Sequence, residues 1–221
     1  MEKLLTFLSE TDLFYGITEE QIREGILPAG QIQEFPKDTY LLEPNDKLEY
    51  FGIVLEGNIQ ILHIFSDGNS SIIRKLKPGR MYGSDLIFTR TQVAPYHVTT
   101  TSKVSMITFP TALIMEKGLL SEETRQKIKD NLLEMISQNN MRREYRLAIL
   151  SQKGLRERIM TYLTMQANRR NSSSFEISFS REEMATYLCV NRSALSHELG
   201  LMQKEGLITF HKNHFMLLEK E

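Results

Sequence analysis

From Phe51 onward the hydrophobic positions fall in a short alternating rhythm. Phe51-Gly52-Ile53-Val54-Leu55 runs into a Glu56-Gly57-Asn58 turn, after which Ile59, Ile61 and Phe65 are spaced through Gln60 and His63. Period two with turn punctuation is the pattern of half-buried strands. Ser66-Asp67-Gly68-Asn69 and Lys77-Pro78-Gly79 bound the stretch from Ile72 to Leu76, and Pro95 and Pro110 bound a Thr-rich, β-branched stretch from Val98 to Thr108. Extended back to Ile32 through Leu42, the spacing predicts about eight short strands, and short strands this regular predict a compact antiparallel β-roll of the cupin-like jelly-roll kind over residues 1–110.

After Pro110 the grammar changes. Residues 112–151 contain only Gly118 and no proline, and are rich in Glu, Lys, Arg, Gln, Leu and Met, a composition that predicts one long helix over 111–151. Within it Ile128, Leu132, Met135 and Asn139 step by four, three and four. That is the a/d spacing of a coiled-coil seam, at which one polar Asn can set register and oligomer state. The preferred reading is a homodimer seam; the other is that the stripe packs on the chain's own β domain.

Residues 152–221 open with a helical pattern (Leu155, Ile159, Tyr162, Leu163) and a polar break from Arg169 to Ser174. Phe175, Ile177 and Phe179 then alternate as a short strand leading into Ser180-Arg181-Glu182-Glu183, where Ser followed three residues later by Glu is a capping box. The helix it opens carries Met184, Ala185 and Leu188 on one side and stops near Cys189-Val190-Asn191, with Asn191 suited to cap a second helix. In that second helix Leu195, Leu199 and Met202 share the inward side, and Arg192, Ser193, Ser196, His197 and Gly200 the outward side. Gly206 ends it, and two apolar runs around Lys212-Asn213 read as a hairpin wing. Strand, helix, turn, helix and hairpin make a winged helix-turn-helix, and the whole chain is α+β: β-roll, long dimerisation helix, winged helix. The outward face suits DNA, since the first residues of a recognition helix enter the major groove. Arg192 fits bidentate contact with guanine; the plainer reading of Arg192 and His197 is a solvated helix face.

Charge changes this picture only when it is divided. The chain of 221 residues has 27 Lys+Arg against 28 Asp+Glu, a net charge of −1. Residues 151–221 carry ten basic and eight acidic side chains, and residues 1–150 carry 17 and 20, so an acidic half offsets a slightly basic one. The single cysteine, Cys189, allows no internal disulfide and reads as a packing residue in a reducing cytoplasm. The apolar stretch Leu4 to Leu8 is too short for a signal-peptide core, and no charge-free run approaches a membrane span. The expectation is a soluble cytoplasmic protein without membrane contact.

Catalytic signatures do not emerge: there is no Walker loop, GxSxG elbow, HExxH pair or dinucleotide fingerprint. The competing enzyme reading is a cupin-like metal-dependent enzyme with an accessory DNA- or protein-binding domain. It requires a close His-x-His pair with a nearby Glu, whereas His63 and His97 stand 34 residues apart without such a partner. A third reading is a scaffold whose winged helix contacts protein. The preferred expectation is a non-enzyme with no metal or resident cofactor.

The segments Ser180-Arg181-Glu182-Glu183-Met184-Ala185, Asn191-Arg192-Ser193-Ala194-Leu195-Ser196 and Lys204-Glu205-Gly206-Leu207-Ile208 resemble the Crp/Fnr family of bacterial transcription regulators, as do Gly57, Pro78-Gly79 and Gly83 in the first half. The resemblance covers essentially the whole chain. It implies a homodimer that binds double-stranded DNA at a near-palindromic operator and contacts RNA polymerase if it activates, with Ser180, Arg181, Asn191, Arg192, Ser193, Ser196 and His197 at the DNA. It implies an effector pocket around Tyr82, Gly83, Ser84, Arg90, Tyr96 and His97, with Asp85 continuing the first segment. Members that bind cyclic nucleotides use a glutamate after a glycine and an Arg-Ser or Arg-Thr pair; here those places are Gly83-Ser84 and Ala94-Pro95, so cyclic AMP is not the expected effector. The oxygen-sensing branch needs several cysteines for an iron–sulfur cluster, and this chain has one. A haem sensor could take an axial ligand from His63 or His97, each read here as an ordinary strand histidine. His197 stands where many members have a second arginine, whose bidentate fork imidazole does not reproduce.

Overall fold

The computed structural model describes residues 1–218; residues 219–221, the end of the region expected at 152–221, lie outside the described residues. The chain forms two compact units, one from Met1 to Gln138 and one from Asn139 onward.

The first unit opens with helix rather than strand. Helix α1 (Glu2–Ser9) buries Leu5 and Leu8. Helix α2 (Glu19–Gln21) is opened by a capping box between Thr18 and Gln21 and runs on through wider and tighter turns to Ala29. Eight strands follow, as the turn spacing predicts: β1 (Gln31–Phe35), β2 (Tyr40–Leu42), β3 (Tyr50–Glu56), β4 (Ile59–Ile64), β5 (Ser70–Leu76), β6 (Met81–Tyr82), β7 (His97–Thr100) and β8 (Val104–Pro110). They form two four-stranded antiparallel sheets ordered β1-β8-β3-β6 and β2-β7-β4-β5, and both sheets feed one hydrophobic core.

Register explains the layering. Phe51 pairs with Phe109 and Ile53 with Ile107 across β3 and β8. On that face Phe51 stacks on Phe109 at 5.4 Å between ring centres, and Phe14 from the N-terminal segment meets Phe109 edge-on at 5.9 Å. The alternate residues, Gly52 and Met106, point the other way, toward Tyr82 of β6. A Cβ on Gly52 would lie 2.3 Å from the Tyr82 ring, so glycine there is a packing requirement.

The helix expected over 111–151 is interrupted. Helix α3 (Ala112–Met115) ends early, Gly118 takes φ +88°, and Ser121 restarts the chain by accepting from the Thr124 amide at the head of α4 (Glu122–Leu150). The stripe expected to be the dimer seam is corrected as well. Ile128 and Leu132 are fully buried in the first unit's core, and Met135 packs against it. Asn131, one residue before Leu132, donates to the carbonyls of Leu13 and Tyr15, both at 2.9 Å. A side chain with no exposed surface in one chain has none left for a second, so the a/d spacing at Ile128, Leu132 and Met135 records packing on the chain's own β domain. Asn139 is half-buried and accepts a long hydrogen bond from Arg142. Leu133 and Leu147, 65% and 64% exposed, are the apolar positions α4 leaves uncovered most.

The second unit comprises the end of α4 with α5 (Leu155–Arg170), β9 (Ser174–Glu176), α6 (Arg181–Tyr187), α7 (Arg192–Lys204), β10 (Ile208–His211) and β11 (His214–Leu217). Its three strands form an antiparallel sheet ordered β10-β11-β9. Leu195, Leu199 and Met202 are fully buried beside Ile149, Ile159, Leu163, Met184 and Phe215, the inward side that the helical spacing marks. Among the described residues no helix is long and apolar enough to cross a membrane.

Candidate functional site

The reading head is built from local hydrogen bonds. Ser180 accepts from the Glu183 amide at 3.2 Å while the Glu183 carboxylate accepts from the Ser180 amide at 2.8 Å, closing both halves of the capping box on α6. The turn to α7 needs a left-handed residue, and Cys189 supplies it with φ +56°. Cys189 is exposed, not packed, with an Arg146 nitrogen 3.7 Å from its sulfur. Asn191 caps α7 by accepting from the Ala194 amide at 2.7 Å, and the Ser193 hydroxyl donates to the same oxygen.

These bonds sort the sequence-derived DNA residues. Ser180 and Asn191 spend their side-chain oxygens on helix caps, and Ser193 leans on Asn191. Arg181 is drawn toward the wing: it donates to the Lys212 carbonyl at 2.9 Å and lies over the rings of Phe210 and Phe215 at 5.3 and 5.4 Å. Burial, and then repulsion from Arg192, lowers its pKa. Arg192, Ser196 and His197 remain on the exposed outward face of α7, and nearby Arg181 adds a second cation suited to a phosphate. At the wing tip His211 pairs with His214 around Lys212 and Asn213, all on β10, β11 and their turn.

A contact the sequence reading missed fixes the back of α7. Arg156 of α5 donates to Glu205 at 2.5 and 2.9 Å and to Glu198 at 2.6 Å. Its hydrogen bonds to Glu205 first and to Glu198 second hold its pKa above the usual arginine value. Glu198 and Glu205 lie seven apart, two turns along one helix face, which is the signal that could have identified them.

In the β-roll the expected pocket residues separate. Tyr82 is buried against Gly52, and burial pushes its hydroxyl up to about 12. Gly83 has φ +89°, Ser84 is buried, and Arg90 is exposed. Tyr96 is buried and donates to Asp85 at 2.8 Å, and Asp85 lies 3.7 Å from Arg74 of β5. Arg74 was not singled out from the sequence, although it sits opposite Ile61, itself opposite buried Val98, and two residues before buried Leu76. Period two therefore marked it as inward-facing. His97 meets the Tyr40 ring edge at 5.6 Å, and its Nδ1 is buried without a hydrogen-bond partner among the described residues, as is Nε of Arg74. His63 is exposed. Among the described residues no three His, Cys, Asp or Glu side chains converge as a metal site.

A β-roll followed by a winged helix with an exposed, cation-bearing second helix defines a DNA-binding regulator with a sensor-type domain. Residues 32–117 match the cyclic nucleotide-binding domain family and residues 157–221 the Crp-like helix-turn-helix domain. The chain is 27% identical over 188 residues to the transcriptional activator protein FnrL of Cereibacter sphaeroides, covering 79% of this chain and 71% of that one. It is 23% identical over 190 residues to the electron transport regulator A of Shewanella oneidensis, covering 83% and 73%. The structure of the c-di-GMP-responsive global regulator CLP of Xanthomonas campestris has the same fold, with TM-score 0.58 and 16% identity over 91% of this chain and 99% of that one. The chain belongs to the Crp/Fnr family of transcription regulators.

Proposed function

We propose that the protein is a homodimeric, sequence-specific DNA-binding regulator of the cytoplasm, switched by a small effector in its β-roll that is neither cyclic AMP nor an iron–sulfur cluster. The observation that carries the DNA reading is the outward face of α7: Arg192, Ser196 and His197 are exposed on a helix whose caps and buried side are already satisfied. Arg192 reads a guanine, and Arg181 with the wing Lys212 neutralises backbone phosphates. A gel shift on the DNA upstream of the protein's own gene tests this: Arg192→Ala abolishes the sequence-specific complex and leaves a weaker, salt-sensitive one. Undiminished specific binding by the variant would refute the base contact.

Two helices reading two half-sites require a dimer. With the first stripe of α4 buried, the seam that supports dimerisation is rotated by one residue: Leu133, Ile136, Asn140, Arg143 and Leu147 step by three, four, three and four along α4. Leu133 and Leu147 are its exposed apolar members, and Asn140 takes the polar a position.

Within the roll, the absence of a glutamate at Ser84 and of an arginine at Ala94 removes the groups that would hold a cyclic phosphate. Arg74, Asp85 and Tyr96 instead offer a cation, a carboxylate and a phenol on neighbouring elements. Calorimetric titration with cyclic AMP yields no binding at micromolar concentration; a micromolar isotherm would overturn this part. If the bound dimer raises transcription, RNA polymerase is its further partner.

A further inference from the structure

The second unit contains a cavity of about 520 Å³ that involves none of the outward residues of α7. That volume falls within the range of small-molecule sites. Three rings in mutual contact form one wall: Tyr162 stacks on Phe179 at 6.1 Å and 9°, and Tyr187 meets Phe179 at 5.2 Å and Tyr162 at 5.6 Å. Its rim carries Arg142 of α4 and Arg169 and Arg170 of α5, all exposed. No carboxylate lines the cavity, and among the described residues none of these arginines is ion-paired.

Sequence order explains why these groups meet. Tyr162 and Arg169 lie two turns apart on α5, Phe179 immediately precedes the Ser180 cap of α6, and Tyr187 is the last residue of that helix. Burial pushes the Tyr162 hydroxyl up to about 12, so it stays neutral and adds no negative charge. The exposed carbonyls at the end of α5 amount to about half a negative charge, which three guanidinium groups outweigh. Aromatic walls favour a flat ring, and uncompensated guanidinium groups favour a carboxylate or similar anion.

We propose that this cavity binds a small planar aromatic anion, its ring against Phe179 and Tyr187 and its charged group held by Arg169 and Arg170. The site lies wholly within the second unit and does not depend on the effector assigned to the β-roll.

Equilibrium dialysis of the full chain against 2-naphthoate tests it, with 2-naphthalenemethanol as the uncharged control and the double variant Arg169→Gln, Arg170→Gln. A ligand of this size is expected to bind with a dissociation constant on the order of 0.1–1 mM. The alcohol, and naphthoate on the double variant, are each expected to bind about tenfold more weakly. Both arginines are exposed, so the double variant should keep its circular dichroism melt. Absence of saturable binding, or equal binding by wild type and variant, would overturn the proposal. So would the finding that the variant loses DNA affinity while wild type ignores naphthoate, because the arginines would then be phosphate contacts.

Discussion

Gly200 lies inside α7, and a Cβ built on it meets nothing within 4 Å. Its φ is not left-handed, so the fold gives it neither a steric nor a backbone reason to be glycine. Gly200→Ala should therefore recover the helix-propensity difference, about 1 kcal/mol, chiefly by narrowing the unfolded ensemble. With a urea slope of about 2 kcal/mol per molar, the unfolding midpoint moves up by about 0.5 M. The residue is also eight after Arg192, on the outward face. The substitution adds one methyl and no charge, so specific DNA affinity should hold within about twofold. Urea titration followed by circular dichroism measures the first effect and fluorescence anisotropy with labelled operator the second. An unchanged or lowered midpoint would refute the assignment of Gly200 to an unobstructed helix interior. A gain in stability with a large loss of affinity would mean that the DNA backbone approaches closer than one methyl allows.

Ser180→Ala removes the oxygen that accepts from the Glu183 amide and should cost about 1 kcal/mol, read as a lower urea midpoint. Leu133→Asp with Leu147→Asp should give monomers by analytical ultracentrifugation while each unit stays folded, since both side chains are exposed. Ile128→Ala, at a fully buried position, should instead cost about 3 kcal/mol without changing the oligomeric state. Burial pushes the Tyr82 hydroxyl from an ordinary 10.0 up to about 12, so the folded state favours its neutral phenol. That stability is whole below pH 10 and is lost as pH rises toward 12, by about 1.4 kcal/mol at pH 11. Tyr82→Phe should show a smaller drop in urea midpoint between pH 8 and pH 11 than wild type does.

The two helix caps were legible in the sequence because they are local: Ser180 and Asn191 each accept the amide three residues on, as a capping pattern read from the residues alone requires. Most of the strands were legible for the same reason, since turns such as Gly57, Gly68 and Pro78-Gly79 carry their own glycine or proline, whereas Thr101-Ser102-Lys103, which carries neither, divides the stretch from Val98 to Thr108 into β7 and β8. What was not legible depends on what comes to cover a surface. The spacing of Ile128, Leu132 and Met135 specifies an apolar stripe but not its partner, and the partner is the chain's own core. Arg181 has the exposed, charged look of a phosphate contact, yet a wing 31 residues away takes part of its guanidinium. Arg74 of β5 and Asp85, in the turn after β6, come from two different sheets and meet only once both sheets fold onto one core. The first 29 residues lack alternation, and their helical turns show in the structure as a cap over the Phe109 face.

In the proposed dimer, two α7 helices read a two-fold symmetric site through Arg192. Selection of bound sequences from a random double-stranded library tests it most directly. Wild type should enrich an inverted repeat with half-sites about 10 base pairs apart, centre to centre, or a multiple of that spacing. Arg192→Ala should lose preference at a guanine in each half. Enrichment of no motif, of an asymmetric motif, or of the same motif by both proteins would contradict it.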